Sequence, residues 1–244
     1  MRPLSAFELL KVWEEGQGGP SYRQAFLLLA AACPEQSPEA LSRLSIGRRN
    51  ARLLSLRERT FGSRLEALVT CPGCAERLEL DLRTTELLVN APEDEETAPL
   101  SVETDGYTIR FRLPDSTDLV DVGGMDTNTL RDHILSRCLL SIRRGCEEVS
   151  LAQLPEDAAG AVAEKMAQAD PDADITFAVT CPACGHTWQA MFDIVTFFWC
   201  EITAWSHRIL QEVHLLASAY GWSEADILAL SPWRRRCYLE MTGS

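Results

Sequence analysis

Two near-copies, far apart in the chain, constrain this protein more than anything else in it: Val69-Thr70-Cys71-Pro72-Gly73-Cys74 and Val179-Thr180-Cys181-Pro182-Ala183-Cys184. A C-x-x-C turn sets two sulfurs on one side of a tight loop. A second turn of the same kind completes the tetrahedron of thiolates that Zn²⁺ prefers, with Zn–S at about 2.3 Å. The spacing therefore predicts Cys71, Cys74, Cys181 and Cys184 as the ligands of one structural zinc ion. Four thiolates leave no place for water, whereas a catalytic zinc keeps one open, so such a site holds structure and does not hydrolyse. The same residues admit other readings: a zinc shared between two chains, a redox dithiol, or His186 in place of one cysteine. Redox C-x-x-C pairs of the thioredoxin kind open a helix after a strand. Here an alternating run follows each pair, which favours the metal, and four thiolates leave His186 as an exposed neighbour.

A chain of 244 residues, 46% hydrophobic and 24% charged, can bury a substantial core. Its net charge of −13 argues against a general nucleic-acid binder, whose footprint is a surplus of Lys and Arg. No apolar run approaches the ~20 residues of a membrane span, and Met1-Arg2-Pro3-Leu4 lacks the apolar core of a secretory signal. Folding in a cytoplasm is the expectation. Nine cysteines fit a reducing compartment, where thiols stay free for metal, better than a disulfide framework. Cys138 and Cys200 fall in apolar helical runs and read as small buried hydrophobes.

The first 67 residues read as helical. Ser5-Ala6-Phe7-Glu8 has the form of a capping box, and Ser21-Tyr22-Arg23-Gln24 repeats it. Ser37-Pro38 is a cap followed by proline at the first helical position. A further helix is predicted from about Gly47 to Thr60, with Leu53, Leu54 and Leu56 inward, arginines on its solvated sides and Gly62 as its stop.

Residues 68–117 hold the first knuckle and hairpins. Leu78, Leu80 and Leu82 alternate with charged residues, the period of a half-buried strand. Residues 91–99, acidic and proline-flanked, read as a linker. Asp105-Gly106 between Val102 and Tyr107 suits a type I′ hairpin turn. Residues 118–172 read as a helical insertion, with Leu130, Ile134, Cys138 and Ile142 on one stripe and an alanine-rich helix from about Pro155 to Gln168. The second knuckle occupies 173–191. Within 192–244, Phe192 to Ala219 reads as one long helix stopped by Gly221, and Ser223 and Ser231-Pro232 start two short ones. The fold class expected is α+β: helical N- and C-terminal lobes around a small antiparallel zinc-ribbon-like sheet, with a mixed hairpin and helical insertion.

Enzyme signatures are missing: there is no H-E-x-x-H, no H-x-E with P-C-x-x-C, no G-x-S-x-G and no G-x-x-x-x-G-K. His133, His207 and His214 stand in helical stretches with no matching nucleophile, and read as surface or capped core residues.

The run Ile46-Gly47-Arg48-Arg49-Asn50-Ala51-Arg52-Leu53-Leu54, then Phe61-Gly62, the first knuckle and Leu78-Glu79-Leu80, resembles the baseplate hub assembly family of T-even-type contractile phages, which has relatives in phage-derived contractile injection systems. Phe111-Arg112-Leu113-Pro114 with Asp118-Leu119, the second knuckle, and the ending Tyr220-Gly221-Trp222-Ser223-Glu224 with Arg235-Arg236 and Tyr238-Leu239 are similar to that family as well. The resemblance implies a non-enzymatic component or chaperone of the baseplate hub, with hub or spike proteins as partners and no catalytic residues to transfer. Only the four knuckle cysteines map to a defined role. Two other classes stand beside it: a zinc-ribbon regulator or adaptor binding nucleic acid through its arginine clusters, and a dithiol oxidoreductase.

Overall fold

The computed structural model describes residues 1–87, 98–120 and 122–243, so most of the acidic stretch read as a linker lies outside the described residues. In chain order the elements begin with helices α1 (Ala6–Gly16), α2 (Ser21–Ala32), α3 (Pro38–Ser42) and α4 (Ile46–Phe61). Strands β1 (Arg64–Thr70) and β2 (Arg77–Arg83), short helix α5 (Thr84–Leu87), and strands β3 (Leu100–Thr104) and β4 (Tyr107–Phe111) follow. Then come α6 (Thr127–Cys138), β5 (Leu139–Arg144), β6 (Glu147–Glu148), α7 (Glu156–Ala169), β7 (Thr176–Thr180) and β8 (Thr187–Met191). The chain ends in α8 (Ile194–Tyr220), α9 (Glu224–Ala229) and α10 (Pro232–Met241). Two compact units result, one of Met1–Gln36 with Asp193–Ser244 and one of Ser37–Phe192. The helix α4, grouped by sequence with the N-terminal helices, is part of the second unit.

The first unit is all helix. Ser5 caps α1 in a reciprocal box, its hydroxyl accepting from the Glu8 N–H while the Glu8 carboxylate accepts from the Ser5 N–H. The expected second box does not form. Pro20 is the N-cap of α2 and no side chain caps it, because Ser21 is already inside the helix; Gln24 instead donates to the Gly16 carbonyl at 3.3 Å. In α8 the buried residues Phe198, Ile202, Ile209, Val213 and Leu216 recur at three, four and seven positions, and Gly221 at φ 70° ends the helix in the left-handed conformation. Cys200, expected inside, is exposed. With Phe198 and Ile202 both inward, position 200 falls on the far side of the 3.6-residue turn. Gly16 lies under Trp199, where an added Cβ would come within 2.3 Å of the indole. Arg235 is buried, donating to Glu212 at 3.1 Å and to the Leu230 carbonyl at 2.6 Å, and Tyr238 meets the stacked pair Tyr220 and Trp222 edge-on.

In the second unit, α4 buries Leu53, Leu54 and Leu56 completely. Arg49 and Arg57, expected among the solvated arginines, are buried too. The reason lies in what encloses the helix. Its first turn is gripped by two distant loops: the Ile46 N–H donates to the Pro114 carbonyl, and the Asp170 carboxylate accepts from the Gly47 N–H at 2.9 Å and the Ser45 hydroxyl at 3.1 Å. Asn50 reaches the Asp172 carbonyl at 3.0 Å, and Arg49 reaches Asn50 and Ser116. At the other end Arg57 donates to the Gly62 carbonyl at 2.6 Å.

A four-stranded antiparallel sheet, ordered β3-β4-β5-β6, forms the core of this unit. Asp105 at φ 48° and Gly106 at φ 78° make the β3–β4 turn, as a type I′ turn requires. The stripe predicted through Ile142 stops short. Helix α6 ends at Cys138, Leu139 turns extended, and Ile142 sits in β5 opposite Ile109. An apolar residue every four positions fits a helix face, but alternate positions of a strand fall on the same beat. Ala158, Val162 and Met166 of α7 pack with Ile109, Phe111 and Cys138 in one cluster.

Candidate metal centre

The hairpin of β1 and β2 pairs from Arg64↔Arg83 to Thr70↔Arg77, and that of β7 and β8 from Thr176↔Met191 to Thr180↔Thr187. Each is closed by a knuckle of the same form. The Cys71 N–H donates to the Glu76 carbonyl at 2.8 Å, and the Cys181 N–H to the His186 carbonyl at 2.9 Å. Ala75 and Gly185 each return an N–H to the carbonyl of their first cysteine at 2.9 Å. Both lie in the left-handed region, at φ 62° and 73°. Gly185 adopts this freely, whereas for Ala75 the conformation costs about 1 kcal/mol. Turn and register together aim both cysteines of a knuckle the same way.

The two knuckles face each other. All four Sγ atoms lie within 4.8 Å of one another, with Cys71 to Cys184 at 3.7 Å and Cys74 to Cys181 at 3.6 Å. A disulfide would need about 2.05 Å. A tetrahedron with Zn–S of about 2.3 Å has edges of about 3.8 Å, so the spacing fits a thiophilic ion of that size. Among the described residues this is the one such grouping of His, Cys, Asp or Glu side chains.

Burial divides the set. Cys71 and Cys181 are enclosed, while Cys74 and Cys184 are exposed. The enclosing floor is apolar: Val69, Leu78 and Leu80 from one hairpin meet Phe177, Val179 and Trp188 from the other. These are alternate positions of each strand, so the period of two that marks the sequence also puts one face of each hairpin into the shared cluster. The Gly73 N–H points at the Cys71 sulfur, 3.3 Å away. A Cβ on Gly73 would sit 3.2 Å from the His186 ring and 3.7 Å from the Cys184 sulfur, so a side chain there, such as the second knuckle carries at Ala183, requires the exposed His186 ring to give way slightly. His186 itself is exposed and stacks on Trp188 with ring centroids 5.9 Å apart.

The thiols perturb one another. Burial opposes a Cys181 thiolate, yet N–H groups of Cys184 and Ala183 and the neighbouring thiols of Cys74 and Cys184 outweigh it and draw its pKa down to about 7. Cys74 is favoured as thiolate by the Glu76 N–H, but Cys184, burial, Cys181 and Cys71 together push it up to about 12. Without a cation, negative charges in so small a space repel, so Cys181 ionises readily while Cys74 and Cys184 hold their protons more tightly. A divalent ion reverses that balance and can displace the protons.

No histidine is a member of this grouping, and His207 meets Trp13 edge-on at 5.5 Å. One polar node escaped the sequence. Asp118 is fully buried, accepting from Arg112 at 2.7 and 2.8 Å, from Arg137 at 2.9 Å and from the Asp115 N–H at 3.0 Å. Burial raises its pKa, but these donors prevail and hold it at about 2. The signal was present in Arg112 and Asp118, six positions apart around Pro114, and it is a clasp between the loop that follows β4 and α6.

Fold and cluster together define a mixed α+β protein in which four converging thiols join hairpins distant in sequence. The chain belongs to the T4 bacteriophage base plate protein family, whose model matches residues 16–199. No curated protein and no solved structure matches the chain. A baseplate protein is a component or builder of a phage tail, and none of the described helices is long and apolar enough to cross a membrane.

Proposed function

We propose that this protein is a non-enzymatic assembly factor or structural component of the baseplate hub of a contractile phage tail or related injection system, fastened by a four-cysteine zinc site. Cys71, Cys74, Cys181 and Cys184 are the ligands, and zinc bound there completes a zinc-ribbon-like pair of hairpins. The observation that carries the reading is the convergence of four sulfurs at tetrahedral spacing in a chain of the baseplate family. Four sulfur ligands leave no position for a substrate, so the ion's work is mechanical. It locks β1–β2 to β7–β8, and thereby holds the central sheet and helices between them in one arrangement that hub or spike proteins can meet without an ordering cost. Assembly takes place in the cytoplasm of the producing cell.

The test is zinc content per chain of freshly purified protein, together with its mass in solution. One zinc per monomer is expected. One zinc per two chains would move the ion to a subunit interface, and metal-free protein with reactive thiols would overturn the site. Deleting the gene in a producing cell tests the assembly role, which is refuted if intact, contractile particles still form.

A further inference from the structure

Helix α10 carries a surface that its own packing leaves open. It is held down on one side by Arg235 and Tyr238. On an adjoining flank Trp233, the half-buried Cys237 and Met241 recur every fourth residue, a stripe about 12 Å long at 1.5 Å per residue, exposed at its two ends. Trp233 is 74% exposed and Met241 72%. Trp, Met and Arg are the residue types enriched in protein interfaces, and Trp and Arg dominate their hot spots.

Charge says what kind of partner covers the stripe. The chain as a whole is at −13, yet α10 holds three arginines against one glutamate. Arg235 is turned inward to Glu212. Arg234 and Arg236 flank the stripe on its two sides, both exposed; Glu240 lies 3.2 Å from Arg236 and offsets its charge, so the flanks carry a surplus of one positive charge, on Arg234. Two copies of this chain meeting stripe to stripe would set one surplus positive charge against another, which opposes a symmetric dimer here. We infer that α10 is a docking site for an acidic, amphipathic segment of another baseplate protein, which seats apolar side chains on Trp233 and Met241 and sets carboxylates opposite Arg234 and Arg236. The surface lies beyond residue 199, where the family match ends. It rests on the assembly reading above and deepens it.

Two double variants of the full zinc-loaded chain test the site: Trp233→Ser with Met241→Ser, and Arg234→Glu with Arg236→Glu. All four side chains are at the surface, so the variants should melt as the parent does. Purified hub and spike proteins of the same particle serve as probes in titration calorimetry, with complementation of the gene deletion in parallel. Loss of the apolar pair should weaken binding about 30-fold or more, as losing a hot spot does. Charge reversal should weaken it about 10-fold and flatten its dependence on salt. Unchanged binding by either variant, or no binding by the parent, overturns the site, as does a parent that self-associates through Trp233. If the deletion blocks assembly and both variants restore it, the docking site fails alone; if the deletion is harmless, the assembly reading fails with it.

Discussion

Gly47→Ala should cost this protein about 2–4 kcal/mol, although replacing a helical glycine by alanine ordinarily helps. A methyl group there would lie 2.2 Å from the Asp170 Oδ1, 2.7 Å from its Cγ and 2.8 Å from the Ala173 backbone nitrogen. The carboxylate would have to retreat by about 1 Å to reach ordinary contact, the region where packing energy rises steeply. It would then lose the Gly47 N–H and the Ser45 hydroxyl, which donate to it at 2.9 and 3.1 Å. A hydrogen bond to a charged group contributes about 1.5–3 kcal/mol, and alanine's better helix propensity returns up to about 1. Gly160 in α7 supplies the control, since a Cβ there meets nothing within 4 Å. Gly160→Ala should stabilise by about 0.5–1 kcal/mol. Hydrogen exchange of α4 and α7 amides, with urea unfolding of the zinc-loaded protein, reads both. Because the clash and Asp170→Ala remove the same bonds, the double variant should cost little more than Asp170→Ala alone. A Gly47→Ala protein as stable as the parent would refute the close-approach argument.

Cys71→Ser or Cys181→Ser should abolish stoichiometric zinc and lower the stability of the second unit, by less than the roughly 10 kcal/mol that zinc contributes to isolated fingers, because the central sheet has its own core; zinc-free mutants that melt as the parent does would contradict this, as atomic absorption with thermal melts can determine. Asp118→Asn should cost about 3 kcal/mol, since it removes the charge that Arg112 and Arg137 share, with chemical denaturation as the measure. Because the folded-state pKa of Asp118 is held at about 2, below its ordinary 3.8, its contribution is complete above about pH 5 and erodes as the pH falls toward 2. The pH profile of the Asp118→Asn variant should be flatter than the parent's over that range.

Local chemistry carried a good deal of this protein. The C-x-x-C spacing named the four sulfurs that converge, because a knuckle is a short-range object built from its own backbone bonds. The Ser5 box, the Ser37-Pro38 cap, the Asp105-Gly106 turn and the Gly221 stop were legible for the same reason: each is settled within a few residues. The period of two around both knuckles marked the faces that pack together. Tertiary structure decided the rest. Arg49 looks solvated in sequence because only loops far along the chain, at Pro114–Ser116 and Asp170–Asp172, enclose the start of α4, and Arg57 because its burial against the Gly62 carbonyl depends on how the chain turns after the helix. Ile142 fits a helix by period and a strand by partner, and Ile109 settles it. Cys200 and Trp233 are exposed, while Cys138 is buried beside Asp118; exposure depends on which face a neighbour covers, and no spacing within one helix names that neighbour. Sequence thus determined where the sulfurs stand on their turns, and only the packing of the apolar floor decided that the two turns meet.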